Sequence, residues 1–425
     1  MQLEQVHIKS AFKFEAEHPT AGDRGIRAMA GAMYELLDEP EIQSAYDDIL
    51  KFNPTLGAED KGPYVVNKSW RAFQRNFMGV VKGNRWDTAD DPSPLIYIPR
   101  HFYPERFIDD QDYAKQHISS LFRINEQGLT PLRDEFVYHV SFLEVVSNIA
   151  ERAKTIKAVT QIFQPRWSEP AAILDGGCSQ NQILKALRTN YRFESQQLLG
   201  GYSETNQDPD SYWVDPRMSR VMRRLMAETV EIGDSAGIDN RNIRDLGFRL
   251  WAIACSFRPE ELLNIRSVNH QLDLMNAQPT GVGFLEADLR EAPTKLLNKL
   301  HRQGQKYKIV LLSTVLYQLR QEDQQKVLNN MWEMVDDDGI MIVQDAIKPL
   351  SDNKDFTCTG DFNTKFMYRT LVKDKAHPDF GWQEYFVSEN GRVSKLVPGL
   401  GYVAVTGSAE MGIPEALQRV GNRLL

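Results

Sequence analysis

Leu174-Asp-Gly-Gly-Cys-Ser-Gln-Asn-Gln182 is the stretch whose residue types most directly suggest chemistry. An apolar run, Ala171-Ala-Ile-Leu174, leads into Asp175, and the small residues Gly176 and Gly177 follow at once. Small side chains let a backbone approach a ligand closely, and a carboxylate at the same turn can accept hydrogen bonds from it. Ser179 is small, and Asn181 is one of the few non-glycine types that tolerate positive φ, so the turn can keep its shape without glycine at either position. A strand-to-helix turn with no ligand would read the same way in isolation. Its meaning depends on the elements around it.

After Pro170 short apolar runs alternate with amphipathic stretches, the pattern of a doubly wound α/β sheet. The runs are Ala171–Leu174, Phe248–Ala254, Gly281–Leu285, Lys308–Leu312 and Gly339–Val343, with helices expected over Pro259–Met275, Ala292–Arg302 and Gln321–Val335. Trp382–Val387 and Val393–Val397 flank Ser-Glu-Asn-Gly391, which predicts a closing antiparallel hairpin. Before Pro165 the period is helical. Ile26, Met29, Met33, Leu36 and Leu37 form one stripe, Glu39-Pro40 breaks it, and Ile42, Tyr46 and Ile49 resume it. Tyr113–Phe122 and the long stretch Leu132–Phe163 carry the same spacing, whereas the prolines between 53 and 110 predict only turns and short elements. The expected layout is a mainly helical region, 1–165, and a Rossmann-like domain, 166–425, with an insertion at about 190–245.

Composition removes several classes. The 425 residues suffice for two or three domains, and 42% hydrophobic with 25% charged residues describes a folded globular protein. A net charge of −8 argues against bulk nucleic-acid binding. No apolar run is long enough for a membrane span, and the first residues read as no signal peptide. Three scattered cysteines, Cys178, Cys255 and Cys358, offer neither a disulfide framework nor paired zinc ligands, so a cytoplasmic protein is expected. Asp336-Asp-Asp338 reads as a solvated turn, and no metal site is expected.

In a doubly wound fold ligands sit at the carboxyl ends of the strands. Asp175-Gly-Gly-Cys-Ser-Gln-Asn181 resembles motif I of class I S-adenosylmethionine-dependent methyltransferases, Asp-x-Gly-x-Gly-x-Gly, with Ser179 and Asn181 standing for its second and third glycines. Phe284-Leu-Glu-Ala-Asp-Leu-Arg290 is similar to that family's third-strand exit. Tyr307–Leu319 and Val335–Asp345 are similar to its fourth and fifth strand segments. The resemblance spans about 171–400. It implies an S-adenosylmethionine site formed by Asp175, Gly176, Gly177, Ser179, Asn181 and Leu289, with Asp288 at the adenine amino group and Ser313 at the fourth strand's end.

The family's second strand normally ends in an acid that holds the ribose hydroxyls. Two registers compete here. In the preferred one Phe248–Ser256 is the strand, which spaces it normally from Asp288 but puts Ala254 or Cys255 where the acid belongs. In the other, Tyr212–Met218 supplies Asp215. Under the preferred register Glu204, Asp208 or Asp215 could fold back over the ribose.

The turn after the first strand lacks the Gly-x-Gly-x-x-Gly of dinucleotide sites, and no Walker loop occurs. Ser313-Thr-Val-Leu316 is neither the Asn/Asp-Pro-Pro-aromatic turn of base-amino methylation nor the aspartate of a Lys-Asp-Lys-Glu set, and no Pro-Cys nucleophile occurs. A small molecule, a carrier-bound metabolite or a protein side chain is then the expected acceptor. Tyr317, Asp345, His377 and Tyr385 are the candidate bases or orienting groups. Cys178 and Cys255 read better as small buried residues than as nucleophiles. The helical region would serve as lid, acceptor pocket or dimerisation surface. The competing expectation is a Rossmann-like binding or scaffolding protein without methyl transfer.

Overall fold

Helical spacing governs the first of two units, Met1–Asn148 with Leu246–Asn276 and Gly360–Lys365. The computed structural model describes residues 3–17, 24–58, 61–77, 79–81, 95–97, 103–124, 129–143, 153–179, 181–188, 230–241, 251, 282–302, 304–346, 367–389, 393–396, 402–405 and 409–412. In this unit they form α1 (Leu3–Glu17), α2 (Arg24–Leu36), α3 (Pro40–Phe52), α4 (Gly62–Phe77), α5 (Pro104–Asp109), α6 (Gln111–Phe122) and α7 (Pro131–Phe142). Pro40 opens α3, where its missing N–H costs no helical bond, and Asp110 caps α6 by accepting from Tyr113 N–H at 3.0 Å.

Aromatic rings fill the core of this unit. Phe136 lies 4.8 Å from Phe73, 5.2 Å from Phe122 and 6.0 Å from Tyr46, centroid to centroid. The Tyr46 hydroxyl shares a 2.7 Å hydrogen bond with Ser69, and burial pushes its ionisation upward. Helix α4 departs from the turns and short elements expected there. Its Pro63 sits in the first turn, which tolerates proline, and Val65, Val66, Ser69, Trp70 and Phe73 form its buried face.

The second unit comprises Ile149–Asp245, Ala277–Thr359 and Phe366–Leu425. After α8 (Ala153–Phe163) its sheet contains β1 (Ile173–Gly176), β2 (Ser235–Asp239), β3 (Val282–Glu286), β4 (Tyr307–Ser313), β5 (Val335–Ala346), β6 (Met367–Asp374), β7 (Trp382–Glu389) and β8 (Val393–Leu396). The spatial order is β8-β7-β6-β5-β4-β1-β2-β3. The five strands β3, β2, β1, β4 and β5 run parallel, and β5 to β8 alternate antiparallel. This is the expected doubly wound α/β sheet with its closing hairpin, β7–β8. Ile309 to Leu312 in β4 are wholly buried, which is why central parallel strands read as unbroken apolar runs. Helices α9 (Gln182–Arg188), α10 (Pro293–Lys299) and α11 (Gln321–Glu333) follow β1, β3 and β4 in the chain. The strand order reverses between β1 and β4, so their carboxyl ends define the ligand crevice of such a sheet.

Two expectations need correction. The second strand is Ser235-Ala-Gly-Ile-Asp239 and not Phe248–Ser256: Trp251 is helical, wholly buried, and stacked on His139 in the first unit at 5.1 Å. Periodicity cannot separate a short buried strand from a buried helix, and Phe248–Ala254 is that ambiguous kind of run. The helical stretch Leu132–Phe163 is likewise divided, since Leu143 is extended at the end of α7 and α8 belongs to the second unit. There Thr155 of α8 accepts from Gln344 Nε2 at 2.7 Å.

Candidate functional site

The loop after β1 is tied to the end of β2. Gly177 N–H and Cys178 N–H both donate to Ile238 O, at 2.7 and 3.1 Å, and Ser179 N–H donates to Asp239 Oδ2 at 2.8 Å. Gly177, Ser179 and Asn181 all have positive φ, 71°, 49° and 56°. Glycine is required at the first of these, since a Cβ there would also run into Val315. The left-handed turns direct the successive N–H groups of Gly177, Cys178 and Ser179 onto the end of β2, which fixes the loop against Asp239.

Asp175 lies within β1, between Gly237 of β2 and Leu311 of β4. It is 1% exposed, and its Oδ2 is buried without a hydrogen-bond partner among the described residues. Burial, and then the neighbouring Asp239, push its carboxyl well above the usual carboxylate range. Gly176 ends the strand, paired with Ile238 and Leu312. Asn181 folds over β2: its Nδ2 donates to Gly283 O at 3.5 Å, and its Oδ1 is buried with no hydrogen-bond partner among the described residues. Any Cβ at Gly237 would overlap the side chains of Asn181 and Cys178, so the strand must be small-sided there. Burial raises the Cys178 thiol far above its usual range, with the charges of Asp239 and Asp175 adding to it, so a thiolate nucleophile is disfavoured.

Asp239 is the residue the sequence reading missed. It ends β2, where the ribose acid was expected and Cys255 had been placed. Arg241 N–H donates to its Oδ1 at 3.1 Å and Ser179 N–H to its Oδ2. Burial raises its carboxyl, opposed by the N–H groups of Ser179, Arg241 and Asn240. Cys255 lies outside the described residues, as do Glu204, Asp208 and Asp215. The terminal Asp of Ser-Ala-Gly-Ile-Asp239, following small residues and a β-branched one, was the available signal.

At the third exit Asp288 is half exposed, and Leu289 beside it is buried. Arg290 grips the Asp288 carboxylate and holds it below its ordinary range. At the fourth exit Ser313 faces inward, its hydroxyl donating to Gln344 Oε1 at 2.9 Å. Asp345 is wholly buried and accepts Leu316 N–H at 2.8 Å, holding the start of the short 3-10 turn Leu316–Gln318 in which Tyr317 is also buried. The other two candidates lie elsewhere. Ile340 pairs with Asp374, so His377, just beyond β6, stands at the amino end of the parallel strands, with its ring 5.8 Å from Phe380. Tyr385 is a buried residue at the bulge opposite Thr370 and Leu371, its ring 6.4 Å from Phe163; burial first, then Asp374, raises its hydroxyl.

Among the described residues no cluster of His, Cys, Asp and Glu could hold a metal ion, and no helix is long and apolar enough to cross a membrane. No family model and no curated protein sequence matches the chain. Solved structures similar to it include the plantazolicin methyltransferase BamL in complex with a triazolic desmethylPZN analog and SAH, 12% identical over 46% of this chain and 47% of that one, TM-score 0.24. DesVI of Streptomyces venezuelae is 12% identical over 59% and 76%, TM-score 0.22. An O-methyltransferase family protein from Burkholderia thailandensis is 10% identical over 73% and 76%, TM-score 0.25. The chain thus spans about half the length of the plantazolicin methyltransferase. Likeness at this level identifies no residue of the site.

Proposed function

We propose that the second unit is an S-adenosylmethionine-dependent methyltransferase, binding its cofactor at the carboxyl ends of β1, β2 and β3 and acting on a small molecule, a carrier-bound metabolite or a protein side chain. The observation that carries this reading is Asp239, an acid at the end of β2 joined by hydrogen bonds to the left-handed loop from β1. A carboxylate has about four acceptor positions, so with the N–H groups of Ser179, Arg241 and Asn240 on it Asp239 keeps room for a ribose hydroxyl. The unpartnered Asp175 Oδ2 suits a cationic amino donor, which would hold the carboxylate ionised despite its burial.

When bound, the cofactor supplies a methyl group on a sulfonium, open to in-line attack by the acceptor. The chain's task is then positioning, which can supply much of the rate. A proton acceptor is needed only for an acceptor that still carries its proton at attack. Of the four candidates, Asp345 is engaged by Leu316 N–H, Tyr317 and Tyr385 are buried, and His377 is at the other edge. That arrangement favours an acceptor that attacks without deprotonation by one of these four.

Calorimetry with S-adenosylmethionine and S-adenosylhomocysteine tests the reading: binding is expected and should weaken at least tenfold in Asp239→Ala, whereas no heat at millimolar ligand overturns it. The engaged Asp288 and the enclosed candidate bases also favour a second reading, a ligand-binding protein without turnover. Cofactor binding with no transfer of labelled methyl to any small-molecule or protein fraction of a cell extract would select that reading.

A further inference from the structure

The ion pair at the third exit is unusually complete. Asp288 Oδ1 accepts the backbone N–H of Arg290 at 2.8 Å and its Nε at 2.9 Å, while Oδ2 accepts Nε at 3.0 Å and Nη2 at 2.6 Å. Three N–H groups, with the single Nε hydrogen shared between the two oxygens, therefore already occupy both sides of the carboxylate. Arg290 Nη1 reaches on to Asp323 at 3.3 Å, so the guanidinium has a second acid to hold it when it leaves the first. Both partners of the pair are nearly half exposed, with side-chain exposures of 45% for Arg290 and 42% for Asp288. Solvent screens such a pair, so separating it costs little.

We infer that Arg290 is an internal competitor for the base-binding position of the proposed cofactor site: a base can donate its exocyclic amino group to Asp288 only as the guanidinium withdraws toward Asp323. This rests on the proposed cofactor reading and concerns the selectivity of that same site. With Arg290 on Asp288, the position presents N–H donors and suits a base bearing a carbonyl oxygen. With Arg290 withdrawn it presents a carboxylate and suits an amino group. One side chain thereby sets both the affinity for an adenine base and its margin over a 6-oxo base.

The test is calorimetric titration of the full chain and of Arg290→Met with S-adenosylhomocysteine and its 6-oxo analogue, S-inosylhomocysteine, at low and high salt. The variant is expected to bind S-adenosylhomocysteine about two- to fivefold more tightly, the range set by the strength of exposed ion pairs. It should also bind the 6-oxo analogue more weakly than the parent does, and lose the gain in adenosyl affinity that salt gives the parent by screening the pair. Equal affinities of parent and variant for both ligands overturn the inference and leave the cofactor reading standing, as does weaker adenosyl binding in the variant. Absence of binding by either protein overturns the cofactor reading and the inference with it. Thermal melting of the variant within about 2 °C of the parent would show that a binding change is not a folding change.

Discussion

The two edges of the parallel sheet differ in how they hold the acids nearest β1 and β2. At the amino edge Asp374, Asp234, Asp336 and Asp338 each meet a cation. Arg166 makes a two-pronged contact with Asp374 at 2.7 and 2.8 Å, Arg302 holds Asp234 at 2.6 Å, and Lys308 pairs with Asp336 and Asp338. At the carboxyl edge Asp239 is held by backbone N–H groups, and Asp175 keeps one oxygen with no hydrogen-bond partner among the described residues. Acids at the first edge are compensated within the protein and serve stability. At the second edge Asp288 is also held by Arg290 and Asp345 by Leu316 N–H, whereas Asp175 and Asp239 keep acceptor capacity, as the proposed cofactor site requires.

Breaking the amino edge should give the largest effect on stability and none on binding. Arg166→Met leaves Asp374 nearly buried without its partner and is expected to cost about 3–5 kcal/mol in urea unfolding. S-adenosylhomocysteine affinity should be unchanged under conditions where the variant is folded. Loss of binding with little loss of stability would erase the distinction between the edges.

The carboxyl edge should respond in both respects. Gly237→Ala drives a methyl group into Asn181 and Cys178, with an expected cost of about 1–3 kcal/mol and displacement of the loop that carries Ser179. Binding should fall at least tenfold as measured by calorimetry.

Asp175→Asn should do the reverse to stability. The Asp175 carboxyl is raised in the folded protein, so its contribution is fully present below the ordinary carboxyl range and is lost as pH rises through the folded value. The asparagine variant should flatten that decline and melt about 2–4 °C higher at neutral pH, the equivalent of about 1 kcal/mol in a domain of this size, while losing ligand affinity. A parallel pH profile in the two proteins would show that Asp175 is not the titrating group. Smallest of all, Lys308→Met breaks partly exposed pairs and should shift stability by no more than about 1 kcal/mol.

Much of this sheet was legible because its central strands are buried on both faces: Ile309 to Leu312 and Ile340 to Val343 leave no polar interruption. β2 was illegible for the opposite reason. Gly237 must be small so that Asn181 and Cys178 can lie over it, and the resulting Ser-Ala-Gly-Ile-Asp239 has almost no apolar signal. The more apolar Phe248–Ala254, which contains helical Trp251, carries the stronger strand pattern and masks Asp239. The loop itself was readable, since asparagine tolerates the left-handed geometry that Asn181 adopts. His377 and Tyr385 could not be placed from sequence because the direction of β6 and the bulge in β7 are set by strand pairing. Helix α4 was hidden by reading Pro63 as a break when it lies in a first turn.

Amide hydrogen exchange with and without S-adenosylhomocysteine compares the two edges in one protein. Ligand is expected to slow exchange at Gly177 to Ser179, Asp239 to Arg241 and Asp288 to Arg290, and to leave Trp167, Asp338 and Lys375 to His377 unchanged. Protection confined to the amino edge, or equal at both, would contradict a cofactor site at the carboxyl edge.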